Sequence, residues 1–266
     1  MSVLDQILAA KRDEVTLLHQ PPTRDAIRTA ALAAAPPRDF TGALRHSEHL
    51  AVIAELKRRS PSKGDLAPDL DPAATAAAYA NGGARALSVL TDQIFFGGTV
   101  DDVRQARAAA PGIPVLRKDF IIDADQVYET RAIGADAVLL IVAAVPDDAL
   151  LRDLHDLAGE LGLAALVETH DEPELERALA LGAQIVGVNA RDLATFDENL
   201  AGVARLASTI PSDVVAVAES AIRSPADAAH MAQVGFDAVL VGEALVRAPD
   251  PAGLVAEFAA PLRSTR

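Results

Sequence analysis

No cysteine occurs in the 266 residues. Its absence excludes disulfides, thiolate nucleophiles and cysteine-ligated metal centres. No run of about 18 apolar residues is present either, the length that a membrane-spanning helix needs. The opening segment MSVLDQILAAKRDEV is interrupted by Asp5 and by the charges from Lys11 to Glu14, unlike the unbroken apolar core of a secretory signal. The expectation is a soluble, cytoplasmic protein. Aromatic side chains are few, with only seven Phe, and lysine is scarcer still. Against 20 Arg stand four Lys: Lys11, Lys57, Lys63 and Lys118. Arginine stays protonated, whereas a partly buried lysine can have its pKa lowered toward neutrality. Three of the four lysines fall at or just after the ends of apolar runs.

The net charge of −14 argues against nucleic acid or an anionic membrane as the main partner. It leaves room for a small anionic ligand, because charges beyond about 8–10 Å are largely screened at physiological salt.

Short apolar runs of strand type recur along the chain: AVIAEL from 51, RALSVL from 85, IPVLRK from 113, ADAVLLIV from 135, LAALVE from 163, QIVGVN from 184, VVAVAE from 214 and DAVLVG from 237. Between them lie segments of helical periodicity with legible ends. Asp71-Pro72 suits a cap and first turn, and that helix stops at Asn81-Gly82-Gly83. HDEPELERALALGA ends at Gly182, and SPADAAHMAQVGFDA breaks at Gly235. Near-continuous apolar strands alternating with helices indicate a parallel sheet. Eight such units predict an α/β fold, a (β/α)8 barrel, forming one domain over residues 1–266. The rival is a doubly wound open sheet, whose dinucleotide-binding version would carry G-x-G-x-x-G after the first strand; that motif is absent. Residues 1–48 read as an N-terminal helical extension packed on the barrel, with a helix capped by Ser2 and another over TRDAIRTAALAAA.

In such a barrel the chemistry gathers where strands end. The first strand ends with Glu55 and Lys57, which share a face because strand side chains alternate. The third ends in Lys118, the fifth in Glu168, and the sixth in Asn189 with Arg191 two residues on. The seventh gives Glu219 and Ser220, and the eighth Gly242. Opposed Lys and Glu groups shift one another's pKa and can serve one ligand as acid and base. Two lysines and an arginine suit a doubly anionic small molecule. The seventh and eighth turns, AESAIRS and LVGEALVR, suit a phosphate, with Gly242 permitting close backbone approach. His170 sits in a loop leading into a helix and reads as structural. The other five His suggest no triad or metal cluster.

The segments VIAELKRRSPSKG, LSVLTDQIFFGGT, VLRKDF, ALVETHDEPEL, VGVNARDL and VAESAI, in that order, closely resemble the indole-3-glycerol phosphate synthase family, over essentially the whole chain. The resemblance implies a lyase of tryptophan biosynthesis. It would close 1-(2-carboxyphenylamino)-1-deoxyribulose 5-phosphate to an indole with loss of CO2 and water, with no metal or organic cofactor. By the matching motifs Lys118 would be the general acid in ring closure, and Glu168 base or acid in dehydration. Lys57 would hold the substrate carboxylate or also protonate the leaving hydroxyl; which lysine serves each step stays open. Glu55 and Asn189 would orient Lys57 and substrate hydroxyls, with Arg191 near the carboxylate. Phe96 and Phe120 would wall the anthranilate ring. Ser60, Pro61, Leu193, Ser220, Ala221, Gly242 and Glu243 complete the expected site, with Ser60, Ser220, Gly242 and the backbone N–H of Glu243 on the phosphate side. One departure stands out: the family usually reads E-S-G-I where this chain has Glu219-Ser220-Ala221-Ile222. A glycine needed for positive φ would make Ala221 costly.

Two other functions remain on the table. A phosphate-binding barrel isomerase, such as phosphoribosylanthranilate isomerase, typically uses a Cys/Asp pair, and this chain has no Cys. A catalytically inactive barrel should have lost Lys57, Lys118 or Glu168, and all three are present. The expected partner is a small phosphorylated anion, with the chain a monomer or weak homodimer. Residues 58–71 form a long first βα loop that suits a lid, and Lys63 lies on it.

Overall fold

The computed structural model describes residues 2–45, 48–191, 199–264 and 266. All eight apolar runs form strands: β1 (Ala51–Leu56), β2 (Ala86–Leu90), β3 (Val115–Lys118), β4 (Ala137–Ile141), β5 (Ala164–Thr169), β6 (Ile185–Asn189), β7 (Val215–Glu219) and β8 (Ala238–Val241). Each pairs in parallel with the next, and β8 returns to β1, closing the barrel. Closure removes every sheet edge, so the apolar runs can be buried on both faces. Ile53, Leu87, Leu116 and Leu139 are among the fully buried side chains, each worth about 1.5–3 kcal/mol over its exposed state. The register sets the strand ends level. Leu90 lies opposite Lys118, Ile141 opposite Glu168, and Asn189 opposite Glu219.

The helices are α1 (Val3–Leu18), α2 (Pro21–Ala33), α3 (Phe40–Arg45), α4 (Pro72–Asn81), α5 (Gln93–Phe96), α6 (Val100–Ala109), α7 (Ala124–Ala132), α8 (Asp148–Glu160), α9 (Glu172–Ala180), α10 (Leu200–Leu206), α11 (Pro225–Gln233), α12 (Glu243–Val246) and α13 (Pro251–Ala259). Their ends follow the sequence signals. Ser2 caps α1 in a reciprocal box with Asp5, and Asp71 accepts from the N–H groups of Ala73 and Ala74 at the start of α4. Such caps satisfy donors that the helix itself cannot.

The extension is built into the barrel wall. Helices α1 and α2 pack on α7, while α3 packs against β1, β2 and β7 with Phe40 and Leu44 buried. Lys11 on α1 is completely buried. Its Nζ lies 2.9 Å from Asp92, 2.9 Å from Asp119 and 2.7 Å from Glu14. Burial alone would lower its pKa, but Asp119 and Asp92 outweigh that and raise it, so the ammonium stays charged. Both aspartates sit in loops after strands. Asp92 caps α5 by accepting from the N–H groups of Phe95 and Phe96, and Asp119 accepts from the N–H of Phe120. A helix from the extension thus braces two loops at the C-terminal end of the barrel.

Candidate active site

A pocket at that end is lined by residues from all eight strands and from loops that follow them. At its floor, Lys118 Nζ lies 2.7 Å from Glu168 Oε2 and 3.3 Å from Glu219 Oε2. Asn189 Nδ2 donates to the other Glu168 oxygen at 2.9 Å, and Asn189 Oδ1 in turn accepts from the N–H of Arg191. Glu168 is held from both sides, which fixes its carboxylate plane. Burial would raise its pKa, yet Lys118, His170 and the Asn189 bond outweigh that and hold it low. Glu219 goes the other way. Burial pushes it up to about 8 and the nearby Glu168 charge adds to this, with Lys118 only partly offsetting. Neither Glu219 oxygen has a hydrogen-bond partner among the described residues. Two carboxylates on one lysine therefore take opposite protonation states at neutral pH, the pattern of an acid–base site.

The second lysine is held beside this group. Lys57 Nζ lies 2.5 Å from Glu55 Oε1, and Gly242 makes the room for that pair. A Cβ at Gly242 would meet Glu55 Oε1 at 2.2 Å and Lys57 Nζ at 3.0 Å. Glycine at 242 thus makes space for a charged pair, a need separate from the close approach to phosphate that the sequence suggested. Gly187 on β6 does the same for Glu219, whose Oε1 lies 2.0 Å from where a Cβ would stand. The apolar wall is Phe96 and Phe120, tilted at 36° with ring centroids 6.2 Å apart, together with Leu90, Leu139, Ile141 and Leu240. These are the rings whose backbone the Lys11 cluster braces.

On the opposite side, the turn after β7 carries Ser220 at φ 63° and Ala221 at φ 57°. Both are left-handed, and Ala221 occupies the strained conformation its position suggested. Ser220, Ala221, Ile222, Arg223, Gly242 and Glu243 line this side.

Of the expected residues, Glu55, Lys57, Pro61, Phe96, Lys118, Phe120, Glu168, Asn189, Arg191, Ser220, Ala221, Gly242 and Glu243 all line the one pocket. Ser60 is buried but does not line it, and its hydroxyl has no partner among the described residues. Leu193 lies outside the described residues. Lys63 is exposed on a small antiparallel ribbon, Arg59–Ser60 with Gly64–Asp65, away from the lining. Glu219 was visible at a strand end but not singled out as a site residue; its burial beside Lys118 is what marks it. Asp119 and Lys11 gave no signal in sequence, since their roles depend on contacts more than 70 residues apart. His19, Asp123 and Asp125 come together on the outer face, but Arg24 and Arg28 already pair with Asp125.

A (β/α)8 barrel with a pocket of lysine–carboxylate pairs and an aromatic wall at its C-terminal end has the architecture of the enzymes of that fold. Comparison with known proteins narrows the class. The family model for indole-3-glycerol phosphate synthase matches residues 4–258. A protein of that name from a Nocardioides species is 54% identical over 255 residues, covering 96% of this chain and 97% of the relative. Another from Roseiflexus castenholzii is 51% identical over 264 residues, covering 97% and 98%. Among solved structures, 3-hexulose-6-phosphate synthase from Salmonella typhimurium superimposes with a TM-score of 0.62 at 17% identity, covering 79% of this chain and 97% of that one, a likeness of fold alone. The chain belongs to the indole-3-glycerol phosphate synthase family and is a carboxy-lyase.

Proposed function

We propose that the chain converts 1-(2-carboxyphenylamino)-1-deoxyribulose 5-phosphate to indole-3-glycerol phosphate, CO2 and water, in tryptophan biosynthesis, by lysine–glutamate acid–base catalysis. The observation that carries this reading is the convergence of Lys118 on Glu168 and of Lys57 on Glu55 beside the Phe96–Phe120 wall. The names of the relatives support the reaction.

The chemistry asks for these groups in turn. Lys118 protonates the ketone oxygen while the ring carbon bearing the carboxylate attacks the carbonyl carbon. Carbon dioxide then leaves, and its bonding pair restores the aromatic ring. The new hydroxyl departs as water after accepting a second proton, and a base removes one proton from the adjacent methylene carbon. Glu168, kept ionised and fixed by Asn189, is suited to that removal. Glu219, neutral near pH 7, is suited to donate a hydrogen bond to a substrate hydroxyl. Lys57 and Arg191 face the substrate carboxylate, and the turns after β7 and β8 face the phosphate. With Glu219 protonated, Lys57, Lys118, Arg191 and Arg223 balance Glu55, Asp119, Glu168 and Glu243, so the pocket is close to neutral inside a chain of charge −14. Relative to the rest of the surface that favours an anionic substrate. The ligand is a small phosphorylated metabolite, and the reaction belongs to the cytoplasm.

Lys118→Ala and Glu168→Gln should each lower turnover by about 10²–10⁴-fold in protein that circular dichroism shows to be folded. Indole absorbance follows the product. Variants that turn over at the wild-type rate would remove these two residues from the mechanism. The loop of residues 58–71 would close over bound substrate, as lids do. Limited proteolysis should then slow there when a non-reactive substrate analogue is added, and equal cleavage with and without it would refute closure.

A further inference from the structure

Behind Glu168, on the side away from the pocket, lies a group that the reaction above leaves unused. His170 follows β5 and does not line the pocket. Its Nδ1 stands 2.9 Å from Glu174 Oε2, and its Nε2 stands 3.5 Å from Glu168 Oε1. Glu174 Oε2 also accepts from the backbone N–H of His170, at 2.8 Å, which locks the pair together. Exposure rises step by step outward: the side chains of Glu168, His170 and Glu174 are 1%, 14% and 19% exposed. Nε2 is buried without a hydrogen-bond partner. The three groups form a file of carboxylate, imidazole and carboxylate from the pocket floor toward solvent.

The stoichiometry of the proposed reaction, on which this inference rests, gives such a file work to do. The substrate carboxylate carries a negative charge and departs as neutral CO2. Two protons are delivered, to the ketone oxygen and then to the leaving hydroxyl, and one is removed from carbon. Each turnover therefore consumes one proton net, and bound substrate occupies the mouth of the pocket. We propose that His170 is a positioning residue acting through Glu168, the middle link of a Glu174–His170–Glu168 relay that brings this proton in from solvent. Once Lys118 has given its proton to the ketone oxygen, the charge that held Glu168 low is gone. The imidazolium passes its Nε2 proton to Glu168 Oε1, and Glu168 Oε2 passes one to the Lys118 amine 2.7 Å away, leaving Glu168 ionised again for the later step at carbon. The neutral ring then swings outward, takes a proton from water at Nε2, and returns to its place on Glu174, whose charge holds the imidazolium through Nδ1. No bond between heavy atoms changes.

The surrounding charges suit this role. The groups facing the imidazole are Glu168 on its own strand, Glu174 on α9 and Glu219 across the barrel; Lys118 lies beyond Glu168, and Arg191 is on the loop after the neighbouring strand. Burial opposes the imidazolium, but the Glu174 bond and the charges of Glu168 and Glu174 outweigh it and raise its pKa, so the ring carries the proton. The 3.5 Å gap to Glu168 is of the kind that tightens when substrate binds.

The test compares wild type with His170→Gln and His170→Ala by steady-state kinetics on the carboxyphenylamino substrate, in H2O and D2O, with and without added imidazole. For both variants the relay predicts kcat lower by about 10²-fold, the bottom of the range for a proton-transfer group. KM should stay within about twofold of wild type, since His170 does not touch substrate. The solvent isotope effect on kcat should rise, and imidazole should restore part of the rate of His170→Ala. A wild-type kcat in His170→Gln overturns the proposal. So does a loss that neither imidazole nor D2O changes, which marks a structural role. Should the alanine variant fail to fold, Glu174→Gln carries the test, because it keeps the bond to the His170 N–H but removes the charge that holds the imidazolium. Its kcat should fall, and an unchanged kcat overturns the relay. Wild-type protein that forms no indole refutes the reaction itself; active wild type beside an equally active His170→Gln refutes the relay alone.

Discussion

Glu219 shows most clearly what one residue can be made to hold. Its pKa lies near 8 because burial penalises the anion and the charge on Glu168 adds to the penalty. In the unfolded chain the same group titrates near 4.5. The folded state therefore keeps a proton that the unfolded state loses, so Glu219 costs stability increasingly as pH rises from about 4.5 to 8. Glu219→Gln removes that cost. Its melting temperature should exceed that of wild type at pH 7–8, and the difference should vanish near pH 4, as differential scanning calorimetry at three pH values would show. Activity answers in the opposite sense. As pH passes about 8, wild-type Glu219 ionises and adds a negative charge to a pocket built for an anion. KM should climb there in the wild type and stay flat in Glu219→Gln. Flat profiles in both would mean that Glu219 does not titrate in this range. The sequence placed Glu219 at a strand end, but burial beside a second carboxylate is a property of the closed barrel and is not written in local pattern.

Among the elements, the strands were legible and the loops were not. Parallel strands buried on both faces read as unbroken apolar runs, and all eight runs became strands within one or two residues. Helix ends with Asp-Pro, Ser-Pro or Gly signals were equally clear, as at α4, α9 and α11. The short pieces α3, α5 and the ribbon at 59–65 carry too few residues for any periodicity to show. They are set by long-range contacts: α5 by the Asp92 cap, which Lys11 in turn neutralises from α1. Breaking a buried ion pair from one side typically costs about 3–5 kcal/mol. Lys11→Met should cost on that order in chemical denaturation. It should also raise KM, because Phe96 and Phe120 lose the support of their loops. A KM equal to wild type would confine Lys11 to stability. The turn after β7 makes the converse case. Ala221 at φ 57° pays about 1–2 kcal/mol for its left-handed backbone, partly offset by the smaller entropy it loses relative to glycine. Ala221→Gly should therefore stabilise by about 0.5–1 kcal/mol, roughly 1–4 °C. A lower melting temperature would show that the turn tolerates alanine without strain.

Across the whole molecule, charge is distributed against its own average. A chain of −14 gathers three of its four lysines in the pocket or directly beneath it: Lys57 and Lys118 inside, Lys11 bracing from below. The scarcity of lysine was readable in the sequence, and so was the placement of Lys57 and Lys118 at strand ends. That Lys11 belongs with them was not, since it depends on a helix of the extension folding back over the barrel. The extension is accordingly part of the catalytic architecture proposed here.

The central claim is that this pocket closes, decarboxylates and dehydrates one substrate. The direct measurement incubates the wild-type protein with 1-(2-carboxyphenylamino)-1-deoxyribulose 5-phosphate and follows indole absorbance, released CO2 and proton uptake together. The account predicts one indole, one CO2 and one proton consumed per substrate converted, with all three signals lowered alike in Lys118→Ala. Substrate that persists unchanged, or that is consumed without indole and CO2 in equal amounts, would contradict it.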